Sequence, residues 1–223
     1  MTDKPLIRPA ATLVLLREQA NTLETLLLRR KSKSGKGAWV FPGGVVEKQD
    51  ASCDNEEIAA RAAAVRETQE EAGIEVAPES LQLISHWTTP DAPEVSKKRF
   101  STWFFLSAQS VGEIVVDNQE IDAYRWCAPA QAIDDHRAGE LKMLPPTIVT
   151  LTELAACRTT AEAAAFYQQR QVPYIEPRIT SVDDTICMLY AGDAGYEIGD
   201  GSVPGARNRC WLEGHSWRYE FQG

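Results

Sequence analysis

Three glutamates near the middle of the chain are spaced so that they could bind a divalent cation. Glu67, Glu70 and Glu71 stand at positions i, i+3 and i+4, which lie on one face of an α-helix. Like charges at this spacing repel, and anions near a helix C-terminus oppose the helix dipole. Mg²⁺ or Mn²⁺ prefers carboxylate oxygens and would relieve both costs. The pattern indicates a metal site, and the alternative is a solvated acidic helix face.

The helix that carries these glutamates is the clearest in the sequence, at about residues 55–72. Asp54 is a suitable N-cap, and Glu57 three residues later completes an Asp version of the capping box. Gly73 follows the last turn, where a left-handed C-cap is expected. Arg66 can pair with the glutamate four residues further on and hold its carboxylate in place.

The rest of the chain predicts a mixed sheet with helices packed on it. Apolar runs at 12–16 and 22–30 predict a β-hairpin, and a short strand at 38–41 is stopped by Pro42-Gly43-Gly44. Further strands are expected at 81–89, 100–108, 113–116 and 122–127, and further helices at 130–138, 145–157 and 160–170. We expect an α/β (α+β) core at residues 1–140 and a C-terminal extension of helices and strands, residues 141–223, packed on it.

Composition restricts the function classes. The 223 residues contain 23 Lys and Arg against 32 Asp and Glu, a net charge of −9, which argues against nucleic-acid binding because that function depends on a basic surface. The five cysteines are widely spaced and form no C-x-x-C motif, so neither a disulfide framework nor a zinc site is expected. A reducing, cytoplasmic compartment fits best. The apolar run near the N-terminus is too short for a membrane helix, so no membrane partner is expected.

The glycine loop and the acidic helix together resemble the motif of the Nudix hydrolase family. The family's motif is G-x5-E-x7-R-E-U-x-E-E-x-G-U, where U is a bulky apolar residue. Here Gly44 opens the motif, and the segment 66–74, RETQEEAGI, closes it with every fixed position of the second half. Thr68 stands where the family usually has an aliphatic residue. Gly44 and Arg66 are 22 positions apart, against 14 in the family, so eight residues are inserted.

The insertion leaves the first acidic position of the motif open. Counting forward from the glycine aligns it with Asp50, whereas counting back from the helix aligns it with Ile58. Asp50, Glu56 and Glu57 therefore all remain candidates for that role.

The interrupted motif is similar to one branch of the family, the coenzyme A diphosphatases that include the animal peroxisomal enzymes. The phrase at 41–47, FPGGVVE, carries this similarity, as do the segments 87–90, 99–105 and 190–196. The resemblance therefore covers most of the chain. It implies an α/β/α sandwich that hydrolyses a nucleoside diphosphate linked to another moiety. The most specific implied substrate is coenzyme A or acyl-CoA, cleaved to 3′,5′-ADP and (acyl-)phosphopantetheine.

The resemblance also implies a set of site residues and a cofactor, Mg²⁺ or Mn²⁺. The implied metal ligands are Glu67, Glu70, Glu71, the Gly43 carbonyl and Glu120. Glu67, Glu70 and Arg66 are the implied catalytic residues, and which glutamate is the general base stays open.

Two basic segments, residues 29–36 and 97–99, are candidates for binding the phosphates of a substrate. Arg30 and Arg99 are the first choices because a guanidinium can make bidentate contacts with phosphate, and Gly44 would allow a close approach. Solvated turns are the alternative, above all for the neighbouring lysines.

An ADP-sugar or dinucleotide is the alternative substrate, and a non-catalytic nucleotide sensor is the alternative class. A homodimer is expected on the resemblance alone.

Overall fold

The computed structural model describes residues 6–31, 35–51, 54–92 and 98–222, which form twelve strands and four α-helices. The strands are β1 (Ile7–Gln19), β2 (Thr22–Arg30), β3 (Trp39–Val40), β4 (Gly43–Val45), β5 (Gln82–Thr88), β6 (Arg99–Ser107), β7 (Ile121–Cys127), β8 (Tyr174–Ile175), β9 (Arg178–Val182), β10 (Thr185–Leu189), β11 (Arg207–Glu213) and β12 (Ser216–Gln222). The helices are α1 (Glu56–Ala72), α2 (Pro129–Arg137), α3 (Pro145–Leu154) and α4 (Thr160–Gln168).

The long strand β1 organises a mixed eight-stranded sheet. It pairs antiparallel with β2 and β4 and parallel with β6. On the far side of β6, β5 pairs antiparallel and β8 joins β5 in parallel, while β3 and β7 both pair with β2. The centre of β1 is buried on both faces, which explains its nearly continuous apolar sequence.

The predicted hairpin is confirmed, and its turn has a local cause. Gln19 pairs with Thr22, and the two residues between them, Ala20 and Asn21, have φ angles of 48° and 62°. Two successive positive φ angles are typical of a type I′ turn, whose twist matches that of the flanking strands.

Helix α1 covers one face of the sheet with small side chains. Ala60, Ala63 and Ala64 are fully buried against Leu13 and Phe105, among others. The remaining helices and part of the second sheet bury a separate cluster on the opposite face. The predicted α/β/α sandwich is therefore present.

The C-terminal residues form a second sheet that shares a core with the first. Strands β9 to β12 make an antiparallel sheet in the order β12-β11-β10-β9, and Tyr190 and Cys210 are buried in the same cluster as Trp87 and Ile148. His136 of α2 links the two parts, since the Trp217 amide donates to its Nε2 at 2.8 Å. A backbone carbonyl accepts from Nδ1 at 2.6 Å, so both ring nitrogens are used in holding the two parts together.

A buried ion pair holds the connection between β10 and β11. Arg209 Nη2 lies 2.6 Å from Asp193 Oδ1, with side-chain exposures of 1% and 0%. The Gly195 and Asn208 amides both donate to Asp193 at 2.9 Å, and Arg209 Nη1 donates to the Gly201 carbonyl at 2.7 Å. Every polar group of this pair thus has partners, as burial of charge requires.

Two local predictions are wrong. The N-cap of α1 is Asn55, not Asp54, because the Asn55 side chain accepts hydrogen bonds from the amides of Glu57 and Ile58 at 3.0 and 3.1 Å. Residues 113–116 form no strand. The Val115 amide instead donates to the last carbonyl of α1 at 2.8 Å, so this segment covers the end of the helix.

The structure also bears on the predictions about the C-cap of α1, the cysteines and membrane-spanning helices. The left-handed Gly73 C-cap is present, with φ 71°. Cys127, Cys157, Cys187 and Cys210 are free thiols, and Cys53 lies outside the described residues. Within those ranges, the helices are too short or too polar to cross a bilayer.

Candidate active site

A hydrogen bond joins the glycine loop to the last turn of α1. The Gly43 amide donates to Oε2 of Glu71 at 2.9 Å. Gly43 has a φ of 152°, and a Cβ atom there would lie 2.3 Å from the Ala11 carbonyl oxygen. Only glycine fits this position, so the loop sequence itself brings a backbone amide to the carboxylate.

Glu67 lies against the second glycine of the loop. A Cβ atom at Gly44 would be 2.3 Å from Glu67 Oε1, so the missing side chain leaves the space that the carboxylate occupies. Burial raises the pKa of Glu67, the hydrogen bond from Arg66 partly opposes this, and the charges of Glu70 and Glu120 raise the pKa further. The carboxylate is therefore in surroundings where its charge is poorly compensated.

Glu71 is the most deeply placed of the three helix glutamates, with 6% of its surface exposed. Burial raises the pKa of Glu71 to about 8; the Gly43 hydrogen bond and the charge of Arg30 oppose the rise, and the charges of Glu67 and Glu120 add to it. A nearby cation would favour the ionised form of such a carboxyl.

Arg66 links α1 to the loop before it. Its Nε and Nη2 donate to the two carboxylate oxygens of Asp50 at 3.0 and 2.9 Å, and Nη2 also donates to the Val45 carbonyl at 3.0 Å. Nη1 donates to Glu67 at 2.9 Å and to Glu70 at 3.0 Å. The i, i+4 pair anticipated from the sequence is present, and one guanidinium orients two of the three helix glutamates.

The three candidates for the first acidic position have different surroundings. Asp50 is 5% exposed and faces Arg66. Burial alone would raise the pKa of Asp50, but the hydrogen bonds from Arg66 and from the Glu47 amide outweigh burial and lower the pKa. Glu57 pairs with another arginine of α1 at 2.7 Å, and Glu56 is exposed. Among the three, Asp50 is the one joined to the glutamates through Arg66.

Glu70 is the outermost of the helix glutamates. Its side chain is 57% exposed, and its ion pair is with Arg66 at 3.0 Å. It is thus held on one side by a cation and faces solvent on the other.

Glu120 approaches the same carboxylates from the loop before β7. Its charge raises the pKa of both Glu67 and Glu71, so its carboxylate lies near enough to interact with them. The backbone carbonyl of Glu120 accepts a hydrogen bond from the Lys31 amide at 2.7 Å, which attaches this loop to the end of β2.

Of the two predicted phosphate contacts, Arg30 is the one that lies beside the acidic cluster of Glu67, Glu70, Glu71 and Glu120. The register between β2 and β7 shifts between Arg29 and Arg30, and the charge of Arg30 acts on Glu71. Arg29 pairs with Asp122 at 2.7 Å. By contrast, no side-chain hydrogen bond or ion pair is made by the Arg30 guanidinium within the described ranges, so it is available to an anion.

Arg99, the other predicted phosphate contact, lies in a different place. It is 5% exposed, and its Nη2 donates to Glu176 at 2.6 Å, which ties β6 to the C-terminal part. Arg99 pairs in register with Ile7, five residues before Thr12, the partner of Gly43. That separation is roughly 17 Å along a strand. Arg99 therefore joins β6 to the C-terminal part of the chain, and its phosphate contact stays a prediction.

The carboxylate ligands of the site suit a hard divalent cation, but their oxygens do not converge on one point. In the parts of the chain that are described, no group of three His, Cys, Asp or Glu side chains converges closely enough to hold a metal. The hydrogen bonds explain this, since Glu71 faces the Gly43 amide and the other two helix glutamates face Arg66. The residue types fit Mg²⁺ or Mn²⁺, and the mutual repulsion of Glu67, Glu71 and Glu120 is what a cation would relieve.

A family model described as the NUDIX domain matches residues 6–146. The chain belongs to the Nudix family. The matched segment runs from the start of β1 into α3 and includes all the residues of the acidic cluster.

Curated relatives and a solved structure agree with this assignment. Acyl-coenzyme A diphosphatase NUDT19 of Xenopus laevis is 24% identical, with 86% of this chain and 76% of the relative covered. Putative nudix hydrolase 7 of Caenorhabditis elegans is 26% identical, with coverages of 85% and 74%. The crystal structure of a NUDIX hydrolase from Alicyclobacillus acidocaldarius has a TM-score of 0.62 at 27% identity, covering 72% of this chain and 96% of that one. The predictions of family, fold and hydrolase class are confirmed.

Sequence reasoning missed how the loop that carries Glu120 is held. Asp117 was not a candidate, and Lys31 was considered only as a lysine of a basic segment, with a solvated turn as the alternative. An acid three residues before Glu120 was the available indication, because Asp side chains commonly accept hydrogen bonds from backbone amides two or three residues further on.

Proposed function

We propose that this Nudix hydrolase is a Mg²⁺- or Mn²⁺-dependent pyrophosphohydrolase that cleaves coenzyme A or acyl-CoA to 3′,5′-ADP and (acyl-)phosphopantetheine. The observation that carries the catalytic part is the approach of Glu67 and Glu71 to the Gly43-Gly44 loop. The substrate class is supported by the similarity of 86% of the chain to a relative named acyl-coenzyme A diphosphatase.

Glu67, Glu71 and Glu120, with the Gly43 carbonyl, are the residues that would hold the metal. When bound, a divalent cation neutralises diphosphate oxygens and lowers the pKa of an attacking water. Each of these three carboxylates repels the others, so a cation stabilises the site as well as the substrate.

Arg30 is the proposed contact for a phosphate of the substrate. Its guanidinium lies near Glu71 and has fork-shaped donors that match phosphate oxygens. The absence of a side chain at Gly44 leaves the backbone open to close approach.

Glu70 is either the general base or a further metal ligand. Arg66 holds one side of its carboxylate, and the other side faces solvent, where it can accept a proton from water. These two roles separate experimentally, because loss of a base lowers kcat at saturating metal, whereas loss of a ligand raises the metal concentration needed.

A substrate panel with Mg²⁺ and Mn²⁺ tests the proposal. The panel contains coenzyme A, an acyl-CoA, ADP-ribose and a diadenosine polyphosphate, and mass spectrometry of the products identifies the bond that breaks. We expect 3′,5′-ADP from coenzyme A and its thioester. If ADP-ribose is hydrolysed while coenzyme A is inert, the substrate assignment is wrong and the ADP-sugar alternative replaces it.

Substitutions of the glutamates test the site. We expect Glu70→Gln and Glu71→Gln to lower kcat by on the order of 100-fold or more, with the fold retained. Glu57→Gln is the matched control, because Glu57 is on the same helix and pairs with Arg61 outside the cluster. Wild-type kcat in Glu71→Gln would refute the assignment of the site.

A further inference from the structure

We propose that Asp117 and Lys31 are positioning residues that hold Glu120 against the metal-binding glutamates before the cation arrives. This inference rests on the metal site of the proposed function. It concerns a loop that lies outside the Nudix motif and assigns a role to two residues that are not among the proposed metal ligands.

The Asp117 carboxylate binds the backbone of the segment that carries Glu120. The Glu120 amide donates to its Oδ2 at 2.9 Å and to its Oδ1 at 3.2 Å, and the Ile121 amide donates to Oδ1 at 2.8 Å. Between them, Asn118 adopts a left-handed conformation with φ 57°. One carboxylate therefore fixes a tight turn whose next residues are Glu120 and the start of β7.

Lys31 attaches the same turn to β2 from the other side. Its backbone amide donates to the Glu120 carbonyl at 2.7 Å, and its Nζ donates to the Asn118 carbonyl at 2.8 Å. Lys31 directly follows Arg30, which pairs with Ile121. The backbone of Glu120 is thus bonded at its amide by Asp117 and at its carbonyl by Lys31.

The electrostatics explain why such a restraint would be useful. The charge of Glu120 acts on the carboxylates of Glu67 and Glu71, and like charges repel one another in the absence of a cation. A mobile loop would relieve this repulsion by moving Glu120 away, and metal binding would then have to order the loop at an entropic cost. A fixed loop avoids that cost, as preorganised sites with supporting hydrogen bonds do.

The test measures metal affinity in the full-length chain, apart from catalysis. Asp117→Ala and Lys31→Met are compared with wild type by isothermal titration with Mn²⁺ and by the rise in Tm on adding Mg²⁺. We expect roughly 10- to 100-fold weaker binding. In assays of diphosphate hydrolysis, the metal concentration for half activity should rise by a similar factor, with kcat recovered at saturating metal.

Two further variants distinguish positioning from general stability. Asp117→Asn keeps one acceptor oxygen and should restore part of the affinity. Asp200→Ala is the matched control, because Asp200 likewise accepts hydrogen bonds from a backbone amide and a hydroxyl, both of Ser202, at 2.8 and 2.7 Å. It lies in the C-terminal part, and its substitution should leave metal affinity unchanged.

Wild-type metal affinity in Asp117→Ala, or a loss no larger than that of Asp200→Ala, would overturn the inference while leaving the proposed function intact. If Asp117→Ala does not fold, Lys31→Met decides, since Lys31 is exposed. A wild-type chain that neither binds Mn²⁺ nor hydrolyses any diphosphate would overturn both proposals.

Discussion

At the scale of single residues, the buried carboxyl of Glu71 couples the stability of the metal-free protein to pH. Its folded-state pKa of about 8 lies above the usual value of 4.5, chiefly through burial. A raised pKa means that the fold favours the neutral form. The resulting stabilisation is complete below pH 4.5 and is lost as the pH rises through 8.

Glu71→Gln should remove this loss of stability at high pH. Glutamine stays neutral and keeps an oxygen for the Gly43 amide, so we expect the metal-free variant to have a Tm on the order of 5 °C above wild type at pH 9, with little difference at pH 5. Thermal melts in chelator from pH 5 to 9 measure this. If the Tm values of wild type and variant fall equally with rising pH, the prediction is contradicted. A smaller fall is expected to remain in the variant, because Glu67 titrates together with its neighbours.

The two loop glycines should respond differently to alanine. At Gly43 the new Cβ meets the Ala11 backbone at 2.3 Å, and at Gly44 it meets only the end of the Glu67 side chain. We expect Gly43→Ala to destabilise the fold by several kcal/mol. Gly44→Ala should cost under about 1 kcal/mol while lowering activity at least about 10-fold. Chemical denaturation measures the stability of the two variants, and steady-state kinetics measures their activity. If both substitutions destabilise the fold equally, the clash with the Ala11 backbone does not explain the effect at Gly43.

At the scale of elements, α1 is the part whose placement determines the site. Its N-terminus is capped by Asn55 and its C-terminus by Gly73, and its alanines let it lie close to the sheet. The helix must be fixed at both ends because the glutamates occupy its last turns. The caps therefore support function through geometry as well as through stability.

The N-cap provides a test with a neighbouring control. Asn55→Ala removes an acceptor for two amides and should cost about 1 kcal/mol, which corresponds to a fall in Tm of about 2–4 °C. Asp54→Ala should change the Tm by less than about 1 °C, since Asp54 is exposed and is not the cap. A larger loss in Asp54→Ala than in Asn55→Ala would restore the capping-box interpretation.

At the scale of the whole molecule, the C-terminal residues are part of the packing of the Nudix fold. The second hydrophobic cluster combines Val14 and Phe104 of the large sheet with Tyr167 and Cys210 from beyond the family match. Strand β8 also extends the large sheet along β5. The matched segment alone therefore covers this face of the sandwich only in part, through α2 and the residues that follow it.

Truncation after residue 146 should prevent stable folding. The shortened chain would expose the apolar side chains of that face and the edge of β5, so we expect insoluble protein or no cooperative melt. Soluble expression and circular-dichroism melts beside the full-length chain check this. A truncated chain that melts cooperatively near the wild-type Tm would show that the extension is a separable addition.

The helix glutamates, the hairpin and the sandwich could be predicted because each has a local cause. Periodicity places Glu67, Glu70 and Glu71 on one face, and two residues suffice for the hairpin turn. The N-cap was missed by one position, since Asp54 and Asn55 are both good caps and only the backbone decides between them. The segment 113–116 has strand-like residues, but its tertiary contact with α1 prevails over that preference.

The surroundings of charged side chains could not be predicted in the same way. Arg30 and Arg99 look equivalent in sequence, and only the fold pairs one with Glu176 and leaves the other beside Glu71. Asp50 was one of three candidates because the insertion removes the fixed spacing, and its contact with Arg66 depends on how the loop returns to the helix. Long-range partners of this kind carry no local pattern.

The buried pair of Arg209 and Asp193 has a consequence for the motions of the connection between β10 and β11. Segments without regular structure usually exchange their amide hydrogens quickly, because local opening costs little. Here the Gly195 amide, which lies in the connection, is bonded to a fully buried carboxylate, and releasing it would remove a hydrogen bond from a buried charge. This amide should therefore exchange on the slow timescale of the neighbouring strands, and the connection should open only when the second sheet unfolds.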